Sequence, residues 1–202
     1  MFKENRSMFG RVKEAFHPTP MSRRITEALF KLKIQLSRLD RTAQRMQQRD
    51  AGLYSKCVTA VQQKNGQVAS IYAGECAEIR KMAKVVLHSQ LALETVALRL
   101  ETVLNYGEVA NTMRPVAGVV RAIKTQLEGV LPDVSMELAS VNESLEYLVL
   151  QVGDATEQSF DVSVTGEDAQ KILTEANVVA EQKMRERFPD LPPLPTQEAR
   201  VQ

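Results

Sequence analysis

The sequence predicts an all-α protein whose main feature is a long antiparallel helical hairpin, followed by shorter helices. Aromatic residues make up only 5% of the 202 residues and Trp is absent. The apolar residues are mostly Leu, Val, Ala and Met, which favour helix. They recur at alternating spacings of four and three along two stretches of about 40 residues, on either side of the breaker pair Asn65-Gly66. Two long helices joined by a short turn are therefore expected.

The first 17 residues form a separate amphipathic unit. Its large apolar side chains share one face of a helix: Phe2, Met8, Phe9, Val12 and Phe16. Lys and Arg surround this face, and Pro18 and Pro20 separate the unit from the rest of the chain. Such a helix suits contact with an anionic membrane surface. The alternative is a helix docked on the protein's own core.

A long helix is predicted from Ser22 to about Lys64, with Ser22 as its N-cap. Its apolar seam keeps heptad spacing from Ile25 to Cys57 and includes one charged residue, Asp50. Four basic residues run along the same helix at seven-residue intervals: Arg24, Lys31, Arg38 and Arg45.

These four residues, which we call the basic stripe, are flanked by Arg41 and Arg49. A solvated helix face explains any single one of them. Four cations in register with few acidic neighbours instead predict a surface for phosphate groups. We predict that the stripe binds an anionic membrane together with the N-terminal unit.

The second helix, predicted over about 67–105, carries two apolar strips. The first packs inside the hairpin. The second must find another helix in this chain or in a neighbouring subunit, and it is our candidate polymer contact: Leu87, Leu91 and Leu98. Cys57 and Cys76 are expected to be buried, reduced thiols, with a disulfide across the turn as the alternative.

Shorter elements follow the hairpin. Helices are predicted at about 116–130 and 134–151, and a polar linker at 153–165. A capping pattern that begins at Thr165 predicts a short acidic helix to about Arg187. Its narrow apolar stripe suits a weakly docked, removable lid.

The tail, residues 188–202, contains four prolines within seven residues, which forbid helix and favour an extended backbone. Leu191 and Leu194 project from this backbone as anchors, so the tail is predicted to be a linear recognition motif. The alternative is a solvated tail.

Charge divides the chain into two parts. Residues 1–124 carry 21 Lys and Arg against 10 Asp and Glu, whereas residues 125–202 carry 5 against 15. The basic part suits a phosphate-bearing surface, and the acidic part can cover it until something displaces it. The division favours a switchable binding or assembly protein over an enzyme.

The sequence offers no candidate catalytic, metal or cofactor site. His17 and His88 have no nearby Cys or His at metal-ligand spacing, and phosphate-binding loops and nucleophile motifs are absent. No apolar run approaches the ~20 residues of a membrane span, and no signal-peptide pattern opens the chain. We expect a cytoplasmic protein that is peripheral at the membrane.

Several segments between about residues 20 and 130 resemble the ESCRT-III family, most closely the archaeal CdvB-type cell-division proteins. They are Arg38-Leu39-Asp40, Arg49-Asp50, Ile71-Tyr72-Ala73-Gly74-Glu75, Glu78-Ile79-Arg80-Lys81-Met82, Leu91-Ala92-Leu93-Glu94 and Leu98-Arg99-Leu100-Glu101-Thr102-Val103. The order of basic hairpin, acidic helix and proline-rich tail also matches. Because none of these segments is a catalytic motif, the resemblance rests on the whole pattern.

The resemblance implies an ESCRT-III-like core over residues 20–151 and an acidic linker with an autoinhibitory helix over 152–187. It implies assembly with further copies and related paralogs into filaments that constrict membranes at the division site. An AAA ATPase would disassemble the filaments by gripping the tail through its MIT domain. In the open form the second and third helices are implied to join.

The tail looks like the L-P-x-x-P form of MIT-interacting motif. The resemblance assigns its contact residues to one short run: Phe188, Leu191, Pro192, Leu194 and Pro195. Only Thr196 to Gln202 follow, which predicts a short paralog without the winged-helix-like segment of some members.

The alternative from another class is a basic coiled-coil protein that binds nucleic acid through the stripe, with affinity that falls steeply with salt. Few aromatic residues accompany the cations, so base stacking is unsupported and nucleic acid is the less favoured partner. A helical adaptor that binds only proteins is a third reading, which the Phe face of the N-terminal unit argues against.

Overall fold

A computed structural model describes residues 21–106, 109–156 and 166–193. These residues form five helices and no strand: α1 Met21–Gln62, α2 Gly66–Tyr106, α3 Val109–Leu127, α4 Pro132–Thr156 and α5 Glu167–Arg187. The all-α prediction and the hairpin of α1 and α2 are confirmed. The N-terminal unit with Phe2, Met8, Phe9, Val12 and Phe16, and the tail anchors Leu194 and Pro195, lie outside the described residues.

The α1 seam predicted from heptad spacing is buried along most of its length. Ile25, Leu32 and Leu39 are at most 2% exposed, and they join one apolar core with side chains from all four other helices. This core is continuous because α3 and α4 pack on each other and on the hairpin: α4 lies along α1, and α3 lies along α2. Burial of this shared apolar surface is the main stabilising contribution.

The hairpin turn differs in detail from the prediction. Lys64, not Asn65 or Gly66, has the positive φ, 56°. The amide of Lys64 donates to the Val61 carbonyl at 3.0 Å, and that of Asn65 donates to the Ala60 carbonyl at 2.9 Å, which closes α1 in a Schellman motif. The Asn65 side chain then caps α2 by accepting from the Val68 amide at 3.2 Å.

Two other predicted helix boundaries are wrong. Ser22 lies inside α1, where its carbonyl accepts a bond from the Thr26 hydroxyl at 2.8 Å, so it is not the N-cap. The N-cap of α5 is Gly166, which makes no side-chain cap bond, so the capping pattern expected from Thr165 is displaced by one residue.

Pro115 was expected to precede a helix but lies inside α3. A proline there removes one backbone hydrogen bond and costs about 3 kcal/mol. The apolar side chains that follow it, from Val116 to Val120, are almost wholly buried in the core, and their burial offsets this local cost.

An ion pair joins α3 and α4. Arg121 and Asn142 both donate to the Glu146 carboxylate. Burial opposes ionisation of Glu146, but these hydrogen bonds outweigh it and lower the pKa of the carboxyl. The α3–α4 pair is thereby fixed as a unit beside the hairpin.

Cys57 and Cys76 are free and fully buried, as expected for reduced thiols. Burial and the nearby Asp50 carboxylate raise the pKa of the Cys76 thiol to about 11. The thiol is therefore protonated at neutral pH and unreactive.

Candidate functional site

The basic stripe follows the face of α1 that borders α4, and its first two members contact α4. The Arg24 guanidinium lies over the Tyr147 ring, 4.2 Å from the ring centroid. The Lys31 ammonium donates to the Ser140 hydroxyl at 2.8 Å. Arg38 and Arg45 are exposed.

No residue of the stripe forms an ion pair with a described carboxylate. The helix beside it is nevertheless the acidic one, since residues 132–156 contain five Asp and Glu and no Lys or Arg. The two helices therefore attract each other at longer range, and the exposed Arg38 and Arg45 keep donors available for another anion.

Beyond the start of α4, two residues of the stripe, Arg38 and Arg45, line an open cleft of about 740 Å³. One wall consists of Arg38, Arg41 and Arg45 with neighbouring polar side chains of α1. The other wall is the α3–α4 turn and the first turn of α4, residues 131–134. Sequence reasoning noted Arg41 only as a flanking cation.

The charge argument predicts that the acidic segment lies over the basic hairpin. Helix α5 does lie on the hairpin, but on α2 and not over the stripe of α1. It packs on α2 and, more lightly, on α3. The physical reason is its composition, because residues 167–187 contain five acidic and four basic side chains and have little net charge. Burial of apolar side chains determines its position instead: Ala169, Ile172, Ala176 and Ala180.

Three polar contacts on one face of α2 hold α5 and the residues after it, and we call them the lid contacts. His88 Nε2 lies 3.0 Å from the Leu173 carbonyl oxygen, and the Lys84 ammonium lies 2.8 Å from the Glu181 carboxylate. The hydrogen bond from Lys84 lowers the pKa of Glu181.

The third lid contact is made by Arg80. Its Nη1 donates to the Pro189 carbonyl at 2.7 Å, while Nε and Nη2 bind both oxygens of Asp50 at 2.8 and 3.0 Å. The Phe188 ring lies 5.8 Å from the guanidinium and is 6% exposed. The hydrogen bond with Asp50 raises the pKa of Arg80 further, so this partly buried cation is permanently charged.

The predicted tail anchors are therefore in different environments. Phe188 is buried against the hairpin, Leu191 and Pro192 are half-buried, and Pro193 is exposed. Leu194 and Pro195 lie outside the described residues.

The three residues of the predicted polymer contact also differ in their exposure. Leu87 is buried in the core and Leu91 packs partly against it, whereas Leu98 is 64% exposed. On the adjoining α1 surface Phe30 is 67% exposed. An ion pair between Lys33 of α1 and Glu101 of α2 joins the two helices in the same region. Phe30 and Leu98 each lie one helical turn before a member of this pair, so they add exposed apolar surface on either side of it.

Sequence reasoning missed the Asp50–Arg80 pair and the other lid contacts. A signal for the pair was present, because a lone Asp in an apolar heptad seam needs a buried partner. No comparable signal marked Lys84 or His88. Their role depends on where α5 packs.

The described helices include no segment long and apolar enough to cross a membrane. Within the same residues, no group of three or more His, Cys, Asp and Glu side chains could hold a metal ion.

Comparison with known proteins finds close relatives. The chain is 42% identical over 173 residues to Cell division protein B1 of Sulfolobus acidocaldarius, a match that covers 86% of this chain and 81% of that protein. It is 36% identical over 177 residues to Cell division protein B of the same organism, covering 88% and 68%. No protein-family model and no solved structure matches the chain.

Proposed function

The chain belongs to the CdvB-type family of archaeal cell-division proteins, and from this premise we propose that it assembles into membrane-bound filaments that constrict the membrane during division. The observation that carries this proposal is the basic stripe, a row of cations along one helix without carboxylate partners in the described structure. An anionic membrane supplies the missing charge, and each basic residue near such a surface contributes about 1 kcal/mol.

Assembly would begin at the apolar surface that the closed chain leaves exposed. Leu98 and Phe30 offer a second copy a non-polar contact across the hairpin. Leu87 and Leu91 would join this contact only if α5 and its neighbours moved away. A contact between different surfaces of successive subunits does not close, so it extends into a filament. The related paralogs are further candidate subunits.

The tail would recruit the ATPase that removes subunits. We infer that an MIT domain takes Leu191, Pro192, Leu194 and Pro195 first, because Phe188 is buried under Arg80 in the closed chain. Phe188 becomes a contact only after α5 has left α2. The N-terminal Phe face is proposed as a second membrane contact, beside the stripe.

Negative-stain electron microscopy of the full-length chain, with and without anionic liposomes, tests the proposal. We expect filaments or coated, deformed vesicles. Smooth vesicles and no polymer at any protein concentration would contradict it. Stronger binding to duplex DNA than to vesicles at matched salt would favour the nucleic-acid alternative.

A variant pair tests the stripe itself. Lys31→Gln with Arg38→Gln removes two stripe charges, and we expect vesicle affinity to fall by roughly thirtyfold. The matched control is Lys64→Gln with Lys81→Gln, which removes two exposed charges elsewhere on the hairpin and should change affinity much less. Equal losses in a vesicle-sedimentation assay would mean that net charge, not the stripe, binds the membrane.

A further inference from the structure

We propose that the cleft between α1 and the start of α4 binds a small dissolved oligophosphate, a chain of two or three linked phosphate groups. The bound group would hold α4 against α1. The inference rests on the proposed function in one respect, because Arg38 and Arg45 also belong to the proposed membrane-binding stripe.

The α1 wall of the cleft presents three guanidinium groups to one cavity. Arg38, Arg41 and Arg45 share a helix face at spacings of three and four, and all three are exposed. Two of them donate to hydroxyl groups of their own helix: Arg41 to Ser37 Oγ at 3.3 Å and Arg45 to Thr42 Oγ1 at 3.1 Å. No described carboxylate pairs with them. Guanidinium groups suit phosphate because their donors match two oxygens at once.

The opposite wall adds positive potential from the α4 N-terminus. Leu131 precedes the first residue of α4, and its carbonyl accepts a hydrogen bond from the Ser135 amide at 3.0 Å. Because the Leu131 side chain has no oxygen, it cannot cap the free backbone amides of the first helical turn. Pro132 opens the helix, and Asp133 is one of the residues that line the cleft. Three cations and a helix N-terminus against one carboxylate leave the cleft attractive to an anion.

The dimensions select an oligophosphate over a single phosphate. Arg38 and Arg45 lie seven residues apart, about 10 Å along the helix axis. A single phosphate would bind only if both side chains bent toward it, whereas two or three linked phosphates span this distance and can bind all three guanidinium groups at once. The volume of about 740 Å³ accommodates such a ligand. The site is a concave cleft between two helices, which a flat bilayer reaches less readily than a dissolved group does.

The two walls belong to elements that would separate if α4 left α1. A ligand that needs both walls binds only the arrangement in which they are adjacent, and it stabilises that arrangement by mass action. Bound oligophosphate would therefore oppose any rearrangement that opens the cleft, and it would compete with membrane for Arg38 and Arg45.

Calorimetric titration of the full-length chain with inorganic tripolyphosphate, at constant ionic strength and without divalent cations, tests the site. We expect one saturable site, with orthophosphate binding at least about tenfold more weakly. Arg41→Gln should weaken tripolyphosphate by about tenfold to a hundredfold, the loss expected for a hydrogen bond to a charged group. Arg49→Gln is the matched control, because it removes the same charge from the same helix outside the cleft lining, and it should change the affinity less than about twofold.

Equal weakening by Arg41→Gln and Arg49→Gln, or no saturable binding, would overturn the inference. So would loss of vesicle binding in Arg41→Gln when tripolyphosphate does not bind, since the cleft would then hold lipid headgroups. Failure of this inference is distinguishable from failure of the proposed function. If the chain coats vesicles but does not bind tripolyphosphate, only the oligophosphate site is refuted. Smooth vesicles with a chain that binds tripolyphosphate refute only the filament proposal.

Discussion

Replacing Asp50 with alanine is expected to lower the free energy of unfolding by about 3–5 kcal/mol. Asp50 is 2% exposed and binds the Arg80 guanidinium through both carboxylate oxygens. Within the described structure, its removal leaves the partly buried Arg80 cation with the Pro189 carbonyl and the Phe188 ring as its remaining contacts. Since a domain of ordinary stability unfolds at a cost of about 5–15 kcal/mol, this is a large fraction of the total.

Chemical denaturation monitored by circular dichroism measures this loss. The control is Asp40→Ala on the same helix. Within the described part of the chain, Asp40 accepts one exposed hydrogen bond, from Gln44 at 2.8 Å, so we expect a change within about 0.5 kcal/mol. Similar losses for the two alanine variants would show that the Arg80 pair has no special role.

A double variant separates stability from tail attachment. Asp50→Leu with Arg80→Met replaces the whole pair by apolar side chains, and such replacements are often neutral or stabilising. We therefore expect the double variant to recover most of the stability lost by Asp50→Ala. It would still lack the bond to the Pro189 carbonyl, so hydrogen exchange after Arg187 should be faster than in the parent chain.

The hairpin was predictable because the sequence pattern that determines it, the spacing of apolar residues along each helix, is local and repeated. Heptad spacing identified Ile25, Leu32 and Leu39 as core residues, and each is buried. The position of the turn is predicted correctly. The positive φ, however, is at Lys64, one residue before the predicted pair Asn65-Gly66. Lys64 adopts the left-handed conformation because the Schellman bonds favour ending α1 there, and Asn65 is then free to cap α2.

The positions of the later helices depend on tertiary packing, which local patterns do not specify. The charge division correctly separated a basic from an acidic region, yet it did not distinguish α4 from α5. Counting each helix separately would have shown that residues 132–156 contain acidic side chains alone, whereas residues 167–187 are nearly balanced. The acidic helix beside the stripe is α4, and α5 is placed by its buried apolar side chains.

The Asp50–Arg80 pair shows the same division between local and tertiary information. The position of Asp50 in the apolar seam indicates a buried charge, but not which residue pairs with it. The partner depends on the register between α1 and α2. The turn that sets this register lies 14 residues before Arg80 in the sequence. Arg80 also reaches Pro189 only because α5 runs along α2. The contact between Asp50, Arg80 and Pro189 therefore combines residues from three distant parts of the chain.

Introducing a carboxylate beneath α5 is expected to release this helix and to promote assembly. Ile172 is 2% exposed between α5 and the rest of the fold, and Ile172→Glu would bury an unpaired charge there at a cost of several kcal/mol. The lid contacts with Lys84 and His88 are partly exposed and oppose this penalty weakly. We expect the critical concentration for polymerisation, measured by light scattering, to fall by about tenfold or more.

The matched control is Val178→Glu, which adds the same charge to the same helix at a position that is 62% exposed. It should leave α5 in place and assembly unchanged, while hydrogen exchange reports release of α5 only in Ile172→Glu. If Ile172→Glu releases α5 and the chain still does not polymerise more readily than Val178→Glu, α5 does not restrain assembly. In that case the exposed Leu98 and Phe30 surface, which α5 does not cover, would be sufficient for the subunit contact.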